Sequence, residues 1–140
     1  MSYAPKNLTA SATLTASDAD TTLTVNAAAG LTLTLPAASG TGREYRIVIG
    51  TTVTSNSVVV QVVGNDTMTG LCISAADAGS SVNGWETASD SDTITLNGTT
   101  TGGVKGDMIV LTDCAADLWS VQMFGSSTGT EATPFSAAVS

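Results

Sequence analysis

Asp92-Thr-Ile-Thr-Leu-Asn97, Gly98-Thr-Thr-Thr-Gly102-Gly103, Asp107-Met-Ile-Val-Leu-Thr112 and Leu118-Trp-Ser-Val-Gln122 follow one another within a single stretch, and their reading decides the fold. Ile94 and Leu96 alternate with threonines, and Trp119, Val121 and Met123 alternate with Leu118, Ser120 and Gln122. Side chains on a strand point to opposite faces in turn, so each outer segment offers one apolar face to a core. The middle segment, Met108–Leu111, is apolar without a break, which is the pattern of a strand covered on both sides. Glycine and aspartate clusters separate the three, and the expected arrangement is a β-meander.

The pattern continues outward in both directions. Leu8–Ala16 alternates Leu8, Ala10, Ala12 and Leu14 with Thr and Ser, and Thr21–Asn26 places Leu23 and Val25 on one face. Leu31–Leu35 is a period-2 strand stopped by Pro36, which has no N–H to give to a ladder. Arg43–Gly50 turns Tyr45, Ile47 and Ile49 inward; Val58–Val63 and Thr67–Ser74 follow. The segment 75–83 reads as irregular, with one helical turn at Ala75–Ala78, and Trp85 is expected to cap the core. About ten short strands at spacings of roughly 8–12 residues predict an all-β fold, an antiparallel β-sandwich or a jelly-roll-like barrel. The division expected is an N-terminal arm (1–7), a β domain (8–124) and a Ser/Thr/Ala-rich C-terminal arm (125–140). Thr15-Ala-Ser-Asp-Ala-Asp20 is echoed by Thr87-Ala-Ser-Asp-Ser-Asp92, which reads as two similar turns rather than as a solenoid repeat.

Composition excludes several functions. The 140 residues carry a net charge of -8, and Lys6, Arg43, Arg46 and Lys105 are the only bases. Four bases do not make a stripe that neutralises phosphates, so neither nucleic acid nor an anionic membrane is an expected partner. The opening Met1-Ser-Tyr-Ala-Pro-Lys6 lacks the basic and apolar regions of a signal peptide, so synthesis and first residence in a cytoplasm are expected. Charged residues are only 11% of the chain, a surface suited to cover by neighbours.

The chemistry-bearing residues are few. Without histidine there is no Ser/His triad, no imidazole ligand and no common general base. Asp90/Asp92 has the spacing of two carboxylates on one strand face, yet aspartates at turns more often accept from their own backbone. Asp18/Asp20 and Asp90/Asp92 could each lend oxygens to Ca²⁺, but neither run continues into a calcium loop. Ser39-Gly-Thr-Gly42 lacks the Lys-Ser/Thr ending of a phosphate loop and reads as a hairpin-type loop. Cys72 and Cys114 read as small buried hydrophobes, with a later disulfide as the alternative. Trp85, Trp119, Tyr45 and Phe124 would suit a sugar platform, but a chain with 4% aromatics needs them in its core. No enzyme, metal or cofactor is expected.

Three stretches carry a resemblance. Leu35-Pro-Ala-Ala-Ser-Gly-Thr-Gly-Arg-Glu-Tyr-Arg-Ile-Val-Ile-Gly-Thr-Thr52 is one, and Asp90-Ser-Asp-Thr-Ile-Thr-Leu-Asn-Gly-Thr-Thr-Thr-Gly-Gly-Val-Lys-Gly-Asp107 is another. The third is Leu118-Trp-Ser-Val-Gln122 followed by Gly129-Thr-Glu-Ala-Thr-Pro-Phe135. Together they resemble small head decoration (cement) proteins of tailed bacteriophages from marine and freshwater sources, with related phrasing in tail-fibre and spike modules. The resemblance covers most of the chain beyond Thr21. It implies a homotrimer that binds the outside of the assembled capsid and ties neighbouring major capsid protein subunits together. The alternative it implies is a head- or tail-attached module that binds a host receptor or glycan. On the first reading the exposed apolar groups of the N-terminal arm, Tyr3 and Pro5 with Lys6, are expected to touch the capsid. Pro134 and Phe135 in the other arm are expected to meet a neighbour or a trimer mate.

Overall fold

The computed structural model describes residues 4–139 and shows a β-sandwich of two mixed sheets. The strands are β1 (Lys6–Leu8), β2 (Ala12–Thr13), β3 (Thr22–Val25), β4 (Leu31–Thr34), β5 (Glu44–Ile49) and β6 (Val58–Gln61). Then come β7 (Thr67–Ala76), β8 (Ser81–Glu86), β9 (Thr93–Leu96), β10 (Met108–Ala115), β11 (Leu118–Ser127) and β12 (Phe135–Ser136). A 3-10 turn at Ala16–Asp18 is the one helical element among the described residues. The larger sheet runs β1-β3-β5-β10-β11-β7-β8 and the smaller β12-β9-β6-β4-β2. All-β character and the sandwich are as the alternation requires; the sheets do not close into a barrel.

The pairing is mixed rather than antiparallel. β1, β3 and β5 are parallel neighbours in the larger sheet, and β2, β4 and β6 are parallel neighbours in the smaller. The first six strands therefore step from sheet to sheet and wind as three turns of a two-sheet parallel coil. The echo of residues 15–20 at 87–92 is not the repeat of this coil. In the first, the Thr15 amide donates to Asp18 Oδ2 (2.9 Å); in the second, the Ala88 amide donates to Ser91 Oγ (2.9 Å).

The expected meander is not formed either. β9 belongs to the smaller sheet, antiparallel to β6, while β10 and β11 form a hairpin in the larger. Residues 97–106 are thus a crossing between sheets. Asn97 organises it, its Oδ1 accepting from the amides of Thr99 and Thr100 at 2.9 Å each. Gly98 has φ +88° and its missing Cβ would lie 1.9 Å from the Val53 carbonyl oxygen, so only glycine fits. The segment 75–83 is regular: β7 continues to Ala76, Asp77 and Ala78 take positive φ in a tight turn, and β8 returns.

The core lies between the sheets. Leu23, Ile47, Ile49 and Val121 face Leu33, Val60, Ile94 and Leu96, all nearly inaccessible. Trp119 and Tyr45 meet edge to face, centroids 5.6 Å apart, and the Tyr45 hydroxyl donates to the Thr15 carbonyl (3.2 Å). Trp85 is half-buried against this core. No helix among the described residues is long and apolar enough to cross a membrane.

Candidate functional site

Buried aspartates hold the backbone together, and only Asp18 and Asp92 of them belong to the pairs singled out in the sequence. Five are buried: Asp18, Asp66, Asp92, Asp107 and Asp113. Each accepts at least one main-chain N–H. Asp66 Oδ2 takes the Ala38 amide (2.8 Å), and Asp92 Oδ1 takes the Val139 amide (3.2 Å) and the Thr93 hydroxyl (2.7 Å). Asp107 Oδ2 takes the amides of Gly103 (2.9 Å) and Val104 (3.1 Å). A buried carboxylate leaves water only where donors replace it, and a loop amide needs an acceptor in turn, so each clamp satisfies both.

The loop Ser39–Gly42 shows this most clearly. It is a crossing from the smaller sheet to the larger, not a hairpin, and it does cradle an anion: the chain's own Asp113. Asp113 Oδ1 accepts from the amides of Ser39 (2.9 Å) and Gly40 (2.7 Å), and Oδ2 from the Thr41 hydroxyl (2.7 Å). Burial works against its charge, but these donors outweigh burial and hold its pKa below the usual aspartate value. Asp18 behaves the same way, its burial outweighed by Lys6 Nζ at 2.5 Å and the Thr15 amide. At Asp107 burial prevails over the amides and raises the pKa.

The paired carboxylates do not converge. Asp90 is exposed while Asp92 is fully buried, and Asp20 is exposed while Asp18 is buried. Among the described residues no three His, Cys, Asp or Glu side chains are grouped to hold a metal ion. Cys72 is buried, as expected, and burial pushes its thiol up to about 11; Cys114 is exposed, because at the bulge where β10 turns into β11 it faces solvent, and both are free thiols. The four aromatics form no platform: Tyr45 and Trp119 are in the core, and Phe124 points outward.

The expected contact residues are dispersed. Tyr3 lies outside the described residues. Pro5 is exposed. Lys6 is not in a free arm but opens β1, with its amine on Asp18. At the other end Gly125–Ser127 continue β11, and Phe135 opens β12 against Ile94. Phe135 is only 6% exposed and Pro134 is buried, so this pair fills the chain's own core instead of facing a neighbour. A lone aromatic in a Ser/Thr/Ala stretch has no periodicity to reveal that role.

What the sequence did not reveal is the outward face of the larger sheet. Register fixes two rows across it. One reads Thr24, Val48, Met108, Phe124, Ile73, Gly84, and the next Thr22, Arg46, Val110, Gln122, Leu71, Glu86. Phe124 is 54% exposed, Leu71 42%, Ile73 40%, and Val82 beyond them 68%. Met108 and Val110, expected to be covered on both sides, are only partly buried here. The outer strand β8 leaves this sheet open on one side, and no proline or lysine protects it. The chain matches no family model, no curated protein and no solved structure.

Proposed function

We propose that this chain is a virion structural protein, a decoration (cement) protein that binds the outer surface of an assembled phage head as a homotrimer. The observation that carries the reading is the combination of a rigid sandwich whose buried acids are spent on loop clamps with a broad apolar outward sheet face. Such a molecule is built to associate with other protein, further copies of itself included, rather than to turn over a substrate. A trimer that recognises the finished shell, through its major capsid protein, stabilises that shell by mass action, and three equivalent contacts multiply a weak one. Pro5 remains the described residue best placed to reach a capsid from the start of β1. The test is co-sedimentation of the purified protein with empty expanded heads: pelleting that saturates at a fixed ratio to capsid subunits supports the reading, and no pelleting refutes it.

The parallel coil of β1 to β6 supports a second reading, a fibre or spike module that binds a host receptor or glycan, because stacked turns are the architecture of an extended shaft. Binding to host cells or to a glycan array, with no pelleting on heads, would favour it.

A further inference from the structure

The geometry points to the outward face of the β10-β11-β7-β8 half of the larger sheet as the contact between copies of this chain. Met108-Ile-Val-Leu111 has the unbroken apolar pattern of a strand covered on both faces, yet the described residues bury only one fully. Ile109 and Leu111 enter the core; Met108 and Val110 stand on the outer face beside Phe124, Leu71 and Ile73. The exposed apolar area there, with Val82, is on the order of 500 Å², near the upper end for a soluble monomer and a large part of the ~800 Å² per partner of a standard interface.

The occupant is a second copy, and charge is the reason. The chain carries twelve acids against four bases, so approach of another copy is opposed over most of its surface. This face is the exception. Its two rows hold only Arg46 and Glu86 as charges, in one row on β5 and on the edge strand β8, four strand spacings or about 19 Å apart, and Glu44 stands in the row beyond on the β5 side. Between them the row is Val110, Gln122 and Leu71. Around a three-fold axis the Arg46 end of one face meets the Glu86 end of the next, with apolar side chains between. Gly84, at the end of the adjacent row, has no side chain, so the row ends low over β8 beside Ile73.

The inference deepens the homotrimer of the proposed function and is tested without capsids. Mass is measured by light scattering for the wild type, Phe124→Asp, Ile73→Asp, Arg46→Glu, Glu86→Arg and the double exchange Arg46→Glu/Glu86→Arg, with circular dichroism confirming that each is folded. A trimeric wild type, monomeric Asp variants and weakened single exchanges restored at least tenfold in association by the double exchange bear it out. A monomeric wild type, or Asp variants that keep the wild-type mass, overturns it. A double exchange no better than the singles overturns the Arg46–Glu86 pairing. Failure of a trimeric wild type to bind heads would sink the decoration reading and leave this contact standing.

Discussion

Asp113 offers the sharpest test of how the sandwich holds its loops. Its carboxylate, 4% exposed, gathers two amides and a hydroxyl from Ser39–Thr41, the crossing that joins the two sheets. Asp113→Ala removes all three hydrogen bonds at once. A hydrogen bond to a charged group contributes about 1.5–3 kcal/mol, but the loop residues are exposed and water reaches the freed amides, so the loss is about 2–3 kcal/mol in all. At about 3 °C per kcal/mol for a domain of this size, the melting temperature falls by roughly 8 °C. Asp113→Asn keeps one oxygen for the two amides and lets the Thr41 hydroxyl turn to accept, so it costs about 1 kcal/mol. Urea unfolding followed by the buried Trp119 is the assay. Because the folded pKa lies below the unfolded one, the Asp contributes its extra stability above about pH 4 and loses it as pH falls through the folded value. The gap between wild type and Asp113→Asn must therefore narrow toward acid. An alanine variant within 0.5 kcal/mol of wild type, or a gap that does not change with pH, refutes the clamp.

Three other outcomes follow from the same structure. Gly70→Ala places a Cβ 1.8 Å from the Val121 carbonyl oxygen at φ +151°, and we expect a loss of more than about 4 kcal/mol or no folded protein, read by circular dichroism. Asp107 has the opposite pH sign to Asp113: its folded pKa is raised, so wild type loses stability relative to Asp107→Asn as pH climbs above about 4, and parallel curves would contradict the burial argument. In the native protein Cys114 reacts promptly with a thiol reagent while Cys72, buried and shifted to about 11, reacts only on unfolding; equal rates would show that β7 opens readily.

Period-2 alternation located most strands and named the core at Leu23, Tyr45, Ile47 and Trp119, because a half-buried strand writes its inward face directly into the sequence. The parallel coil was hidden by unequal turns. Leu23 pairs with Lys6 seventeen residues before it and with Ile47 twenty-four after it; in the other sheet Leu33 pairs with Ala12 and Leu31 with Val58, steps of twenty-one and twenty-seven. Loops of different length between rungs leave no fixed period to detect. β8 was missed because the Ala/Asp/Gly/Ser-rich segment 75–83 has no apolar alternation, although Asp77–Gly79 is a tight turn and Ser81–Glu86 pairs back on β7. The outward apolar face was illegible for a different reason. An apolar run such as Met108–Leu111 shows that a strand wants cover, but not whether its own chain or another supplies it.

One feature of the topology bears on how the protein comes to exist in a cell. β11 lies between β10 and β7, and its ten-residue parallel ladder with β7 joins positions fifty-one residues apart, from Thr67↔Leu118 to Ala76↔Ser127. Until the ribosome has released residues beyond 118, the β7–β8 hairpin has no partner on its inner edge and no lid over Met68 and Cys72. The coil of β1 to β6 pairs strands 17 to 27 residues apart, about half the separation that β11 must close onto β7 or less. Such long-range parallel closure is slow, and the waiting hairpin is a sticky ribbon in a crowded solution. The yield of soluble protein should therefore depend on how soon β11 follows β7 and β8, more than on the strength of the finished sandwich.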